Sequence, residues 1–103
     1  MSIVTSTGGS SSYYELPLSP SVVKRILASV EAGEQPIIET GDVIKMLCNN
    51  DFDAGNIIKA LRRIFQAIEG KGKSGTDIDY DINKCKYFID EVARTAHDKM
   101  DSK

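Results

Sequence analysis

Residues 50–75, NDFDAGNIIKALRRIFQAIEGKGKSG, carry the strongest helical pattern in this 103-residue chain. With successive residues 100° apart around the helix axis, one set of apolar side chains spans an arc of about 100°. A polar set occupies the opposite side. The apolar set is Ile57, Leu61, Ile64, Phe65 and Ile68, and the polar set is Lys59, Arg62, Arg63 and Gln66. Asp51 or Asp53 can cap the start. The stretch therefore predicts an amphipathic helix that ends at about Ile68, followed by a flexible glycine-rich hinge.

Two further helical patterns precede this stretch. Ser19 and Pro20 predict the N-cap and the first position of one helix, and Gly33 ends it. After the short extended link EQPIIET, Thr40 can cap a second, shorter helix. Each has one apolar face at helical spacing. These faces are Val22, Val23, Ile26, Leu27 and Val30 in the first helix, and Val43, Ile44 and Leu47 in the second.

A last helix is predicted after the hinge. One aspartate of DIDYD (Asp77, Asp79 or Asp81) can cap its start, and its apolar stripe runs to about His97. The stripe consists of Ile82, Cys85, Ile89, Val92, Ala93 and Ala96. No stretch predicts a hairpin or a repeat. We therefore expect an all-α fold, a bundle of three to four helices over residues 13–97, with a flexible tail at 1–12 and a frayed tail at 98–103.

Composition and charge narrow the class of protein. A hydrophobic content of 41% and a charged content of 27% are typical of a globular domain. The net charge of −2 argues against a protein whose main task is to coat nucleic acid. No apolar run approaches the roughly 18 residues of a membrane span, and the N-terminus has no basic leader. We expect a cytoplasmic protein in which Cys48 and Cys85 are buried thiols, with a disulfide as the alternative.

Self-association is expected from the size of the chain. A core built from 103 residues is modest. The apolar residues Met46, Phe52 and Phe88 have no obvious place inside one subunit. A symmetric dimer or a higher closed assembly would bury them.

The run AIEGKGKS at residues 67–74 resembles a phosphate-binding loop. It matches the spacing G-x-x-x-x-G-K-S/T except that Ala67 stands where the first glycine belongs. The functional motif requires a strand before it and a helix that opens on the Lys-Ser pair. Here a predicted helix precedes it, so we interpret the run as a hinge.

The cations of this region are the stronger signal. Lys59, Arg62 and Arg63 lie on one predicted helix, and Lys71 and Lys73 follow on the linker. Guanidinium groups can hold phosphates through forked, charge-assisted hydrogen bonds. The alternative is an ordinary solvated face of an amphipathic helix. Because both arginines point off the apolar stripe, replacing them is expected to leave the unliganded stability nearly unchanged.

Other candidate residues each have two interpretations. Lys86, at the edge of the last stripe, either lays its stem along apolar surface or points into a groove toward Arg62 or Asn56. Tyr14 packs on the body or stacks on a base. The aspartates of DIDYD either cap a helix or hold Mg²⁺, but their spacing does not fit an EF-hand. The chain has one histidine, which cannot supply the several ligands of a histidine-based zinc site.

Three segments resemble, in order and spacing, the phage-encoded SaV-like family, whose members are commonly identified as nucleotide kinases. They are DVIKML at 42–47, FDAGNIIKALRR at 52–63 and DINKCKYFID at 81–90. The resemblance covers about Ile37 to Ala93, and Ala60 stands where the family commonly has an aromatic. The matching positions are Tyr13, Tyr14, Ile38, Glu39, Asp42, Gly55, Asn56, Lys59, Arg63, Asp81, Lys84 and Tyr87. A glycine inside a helix costs about 1 kcal/mol, so Gly55 favours a close approach of another element.

The resemblance implies a nucleotide-binding protein of the host cytoplasm, with nucleotide kinase-like phosphoryl transfer as the associated reaction. Phosphates would be held by the cations, a base or sugar by the asparagine, and Lys86 would neutralise developing charge. The residues assigned to the ligand are Asn56, Lys59, Arg62, Arg63, Lys86 and Tyr14. No catalytic residue, metal ligand or further cofactor is assigned. The alternative is a non-enzymatic phage protein that inhibits a host enzyme or defence system by binding a protein or sequestering a nucleotide signal.

Overall fold

The computed structural model describes residues 10–73 and 77–102, and this part of the chain contains four α-helices and no strand. A short 3₁₀ helix, Ser10–Tyr14, comes first. The α-helices are α1 (Pro20–Glu31), α2 (Thr40–Cys48), α3 (Phe52–Ile68) and α4 (Ile78–Asp101). The all-α prediction is confirmed. Most of the tail predicted at residues 1–12 lies outside the described residues.

The chain divides into two compact units, Met1–Pro36 and Ile37–Lys103, where the sequence suggested one helical domain over residues 13–97. The first unit contains α1, which begins and ends as its sequence predicts. The hydroxyl of Ser19 accepts a hydrogen bond from the backbone N–H of Val22 at 3.4 Å. Gly33 closes the helix with a φ of 71°, a left-handed conformation that glycine adopts without strain.

The second unit contains α2, α3 and α4, and a carboxylate caps each of them. The N-cap of α2 is Glu39, where the sequence suggested Thr40, because Glu39 and Asp42 form a reciprocal capping box. Asp51 caps α3 and Asp77 caps α4 by accepting backbone N–H groups of the first turn. Each cap satisfies donors that the helix itself leaves unpaired.

Helices α3 and α4 pack antiparallel. Phe52, at the start of α3, makes an edge-to-face contact with Phe88, with ring centroids 6.0 Å apart. Eleven positions further along α3, Arg63 bonds to Asp81, which lies earlier in α4. Ala60 lies between these contacts and is fully buried. Its small side chain allows the two helices to approach closely, and the predicted antiparallel arrangement of the last two helices is confirmed.

Helix α2 packs on α3 at Gly55. A Cβ atom added to Gly55 would lie 3.2 Å from Cγ2 of Ile44, a side chain that is itself buried. The missing side chain therefore makes room for Ile44. The close approach expected from the Gly-Asn pair is present, and it explains a residue that otherwise destabilises a helix.

Helix α4 is longer than the sequence indicated. It continues to Asp101, four residues past the predicted end at His97. Because Phe88 is level with the first residue of α3, the following turns of α4 extend beyond α3, and every side chain from Ala93 to Asp101 is exposed. Among the described helices, none is both long enough and apolar enough to cross a membrane.

Much of the predicted apolar surface stays uncovered. In the described residues the buried apolar side chains are Val22, Ile44 and Ala60. Helices α2 and α4 occupy two sides of α3, and the outer part of its apolar stripe, Leu61, Phe65 and Ile68, remains exposed. A chain of this size cannot bury four full stripes. Self-association therefore stays a prediction.

Candidate functional site

The cations of α3 lie on three different surfaces, although they are close in sequence. Lys59 lines a depression of about 220 Å³ together with Asn56. Arg62 lines a groove of about 780 Å³ between α2 and α3. Arg63 lines a depression of about 240 Å³ at the end of α3. Successive helix positions differ by 100°, so the cluster seen in the sequence is divided.

Apolar and polar side chains both line the groove. The apolar part of the lining, here called the floor, includes Leu61 and Phe65, and Phe65 is 55% exposed. Arg62 and Gln66 belong to the polar part, and no carboxylate of the described residues pairs with Arg62. The remaining lining residues are Ile38, Glu39, Thr40, Val43 and Ile58. A groove of this volume is within the range of small-molecule sites, which are mostly apolar with a few placed polar groups.

The neighbouring depression is cationic. Its lining consists of Arg63, Gln66, Lys71, Gly72 and Lys73. Three of these five residues carry a positive charge. Lys71 also lies 3.8 Å from the carboxylate of Glu69, an exposed pair of little energetic weight. This depression is suited to an anion.

Main-chain hydrogen bonds build the wall of the depression. The N–H of Lys71 donates to the carbonyl of Gln66 at 2.7 Å, and Gly70 donates to Ala67 at 3.1 Å with a φ of 76°. This pattern is a Schellman C-cap, which turns the chain back over the helix end. A Cβ atom on Gly72 would lie 3.1 Å from Cα of Ala67. Residues 70–73 are thus folded against α3, and the rest of the predicted hinge, residues 74 and 75, lies outside the described residues.

Gln66 connects the two surfaces, because it lines both the groove and the cationic depression. Arg62 lies on the groove side of this residue and Arg63 on the depression side. An elongated ligand can therefore place an apolar, planar part in the groove and an anionic part in the depression. The glutamine amide, which both donates and accepts hydrogen bonds, lies at the junction.

Arg63 also has a structural partner. Its Nε and Nη2 atoms both lie 2.9 Å from Oδ1 of Asp81. Asp81 is 2% exposed, whereas the arginine side chain is 41% exposed. The sequence offered Asp81 as a helix cap or metal ligand, but it is a buried carboxylate whose charge Arg63 balances. The guanidinium has further N–H groups, so its outer edge can still face an anion in the depression.

Asn56 and Lys59 lie near the other end of α3. The amide nitrogen of Asn56 donates to the carbonyl of Phe52 at 2.9 Å. Their depression is also lined by the carboxylate-bearing Asp51. Asn56 lies ten positions, or about 15 Å, along the helix from Gln66. These two predicted residues are not brought to the groove.

Lys86 belongs to α4 and does not line the groove. Lys86 is exposed on α4, about 140° around the helix from Asp81, which faces α3. Lys86 therefore points away from α3. Tyr14 belongs to the first unit and is exposed at the end of the 3₁₀ helix.

The remaining candidates have structural roles. Asp77 caps α4, Asp81 pairs with Arg63, and Cys48 and Cys85 are half-buried free thiols. Within residues 10–73 and 77–102, no three His, Cys, Asp or Glu side chains converge on a possible metal position. The run AIEGKGKS begins inside the last turn of α3, so a helix precedes it where a phosphate-binding loop needs a strand.

The sequence interpretation missed the roles of Phe65 and Asp81. Phe65 was assigned to the core stripe, but the side chain lines the groove. The available signal was the chain length, since a small domain leaves part of a wide apolar stripe uncovered. Asp81 lies four and seven positions before Cys85 and Phe88 in the helix, a spacing that places it on the packed face. That spacing was the signal for a buried carboxylate.

The chain matches no protein-family model, no curated protein sequence and no solved structure. The resemblance to the SaV-like family stays a prediction from the quoted residues.

Proposed function

We propose that this protein binds a nucleotide across the α2–α3 groove and the adjoining cationic depression. The observation that carries the proposal is the position of Gln66, which lines both surfaces. A nucleotide has the same two parts, a flat base with an apolar face and a chain of phosphates. The site offers apolar side chains to the first part. To the second part it offers two lysines and the outer edge of Arg63, whose charge Asp81 balances.

The groove supplies the contacts for the base and sugar. Phe65 presents an exposed ring on which a base can stack, an interaction of about 1–3 kcal/mol per base. Leu61 extends the apolar floor beside it. The amide of Gln66 can bond to the base edge, and Arg62 can bond to the sugar or the first phosphate.

The depression supplies the contacts for the phosphates. Lys71 and Lys73 bring two ammonium groups, and Arg63 adds the outer edge of its guanidinium. Charge-assisted hydrogen bonds of this kind contribute roughly 1.5–3 kcal/mol each when they are well aligned. Folding of residues 70–73 against α3 positions the lysines in advance, which reduces the entropy cost of binding.

The resemblance to the SaV-like family extends the proposal to nucleotide kinase-like phosphoryl transfer. Cations beside a bound phosphate chain would stabilise the charge that develops during transfer. Release of a nucleoside diphosphate from a mixture of nucleoside triphosphate and monophosphate, followed by chromatography, measures this activity separately from binding.

The binding proposal is tested by thermal unfolding with a panel of mono-, di-, tri- and cyclic nucleotides. A nucleotide at 100 times its dissociation constant adds about 2.7 kcal/mol to the free energy of unfolding. In a domain of this size the melting temperature then rises by several degrees. The double variant Lys71→Gln/Lys73→Gln should lose most of that rise, whereas Lys99→Gln, in the last turn of α4, should retain it. If no nucleotide shifts the parent protein, the exposed apolar groove supports instead the non-enzymatic, protein-binding alternative.

A further inference from the structure

One face of α4 carries a coiled-coil pattern that the single chain covers only in part. Cys85 is half-buried, and its Sγ atom lies 3.9 Å from the carbonyl oxygen of Ile57 in α3. The apolar positions of this face are Ile78, Ile82, Cys85, Ile89, Val92 and Ala96, separated by four, three, four, three and four residues. Alternating spacings of three and four place side chains along the seam of paired helices. Ile89 is 52% exposed, Ile78 and Ala96 are also exposed, and the other three are half-buried.

The order of these spacings is the same in both directions along the helix. A second copy of α4 that runs antiparallel therefore meets the first in matching layers. Ile78 lies opposite Ala96 of the second copy, Ile82 opposite Val92, and Cys85 opposite Ile89. Each layer combines a larger side chain with a smaller one, so the layers have similar volumes. Such a surface is self-complementary under a two-fold axis.

The length of α4 favours the same arrangement. Its last turns extend beyond α3, with every side chain from Ala93 to Asp101 exposed. A helical segment without tertiary contacts is only marginally stable in water. In an antiparallel pair this segment packs on the first turns of α4 in the second copy. Both extensions are covered at once.

The available area is close to what a dimer needs. The six seam positions with Ala93 and Met100 expose on the order of 500 Å² of apolar surface, a size that marks interaction sites on monomers. Flanking side chains such as Lys86 bring the covered surface toward about 800 Å² per chain, the area of a standard interface.

We propose that the protein is a homodimer in which α4 pairs antiparallel with α4 of a second copy, centred between Cys85 and Ile89. The seam is separate from the α2–α3 groove, so a result that contradicts the dimer does not contradict the nucleotide site, and the reverse also holds.

The test compares two adjacent exposed positions by size-exclusion chromatography with light scattering at micromolar concentration. The parent protein should have twice the chain mass of 11.3 kDa. Ala96→Glu places a charge in the seam and should give an 11.3 kDa species. Thr95→Glu places the same charge about 100° away and should leave the dimer intact. Both positions are exposed, so each variant should keep its helical circular dichroism spectrum.

A charge pair then tests the register. Ile78→Lys should dissociate the dimer when it is introduced alone. Combined with Ala96→Glu it should restore the dimer, because the two side chains face each other across the interface in the antiparallel pairing. A parent protein of 11.3 kDa, equal dissociation by Thr95→Glu and Ala96→Glu, or no recovery in the double variant would each overturn the proposal.

Discussion

Arg63 and Asp81, 18 positions apart in the sequence, form an ion pair that joins α3 to α4. Two guanidinium nitrogens meet one carboxylate oxygen, each at 2.9 Å, and the carboxylate is almost fully buried. An isolated carboxylate is costly to bury. Arg63 is therefore first a structural residue, and only its outer edge is available to a ligand. This pairing changes the expectation that both arginines of α3 can be replaced without loss of stability.

Asp81→Asn should lower the free energy of unfolding by about 2–3 kcal/mol, because a buried charged contact is lost and the new amide meets a cation. In a domain of this size the melting temperature falls by roughly 10 °C. Thermal or urea unfolding without ligand measures the change. Asp90→Asn, at an exposed position of the same helix, should change the stability by less than about 0.5 kcal/mol. Equal losses of unfolding free energy in both variants would show that the Arg63–Asp81 ion pair does not contribute more to stability than an exposed aspartate.

The contact between Gly55 and Ile44 makes a prediction about the packing of α2 on α3. Gly55→Leu should destabilise the protein by about 1–3 kcal/mol, since the added side chain must displace Ile44. Gly41→Leu, also in a helix but with nothing within 4 Å of its added Cβ, should be neutral or stabilising.

A double-mutant cycle identifies the partner. Ile44→Ala alone leaves a cavity, and in the Gly55→Leu background it should cost much less, because the leucine fills that space. If the two losses simply add, Ile44 is not the side chain that Gly55 accommodates.

The helices were predictable from the sequence because their signals are local. Ser19 caps α1 as predicted, and Asp51 and Asp77, each one of the alternatives that the sequence offered, cap α3 and α4. The stripe of α3 marks the length of that helix. The division of that stripe was not predictable, because periodicity shows which side chains share a face but not how much of the face another helix covers. Phe65 is the clearest example, since it belongs to the stripe and yet lines an open groove.

The site was predictable only as a region. Arg62 and Arg63 are adjacent in the sequence, but neighbouring helix positions point in different directions. The ion pair between Arg63 and Asp81 joins two helices, so it is visible only in the folded structure. The folded start of the Gly/Lys linker was also missed, because the sequence shows glycines but not the main-chain bonds of a Schellman cap. Asn56, Lys59 and Lys86 do not line the groove, and Tyr14 belongs to the first unit. The ligand roles of all four residues stay predictions.

The position of linker residues 70–73 against α3 leads to a prediction about the cationic depression that they line. Gly72→Val would place side-chain atoms against the backbone of Ala67 and should displace residues 70–73 from the end of α3. Nucleotide affinity should fall several-fold, because Lys71 and Lys73 lose their position, while the unliganded melting temperature changes little. Calorimetric titration and thermal unfolding of the same samples separate the two effects. Unchanged affinity would place the phosphates elsewhere.

The most direct test of nucleotide binding is isothermal titration calorimetry with the nucleotide that gives the largest thermal shift. Arg62→Gln and Phe65→Leu should each weaken binding about tenfold, the equivalent of about 1.4 kcal/mol for a lost charged or stacking contact. Lys59→Gln removes a cation three positions from Arg62 and should change the affinity less than about twofold. Inorganic tripolyphosphate should bind more weakly than the nucleotide, because it has no base to stack. Equal losses for Arg62→Gln and Lys59→Gln, or equal affinity for tripolyphosphate, would contradict a nucleotide site in this groove.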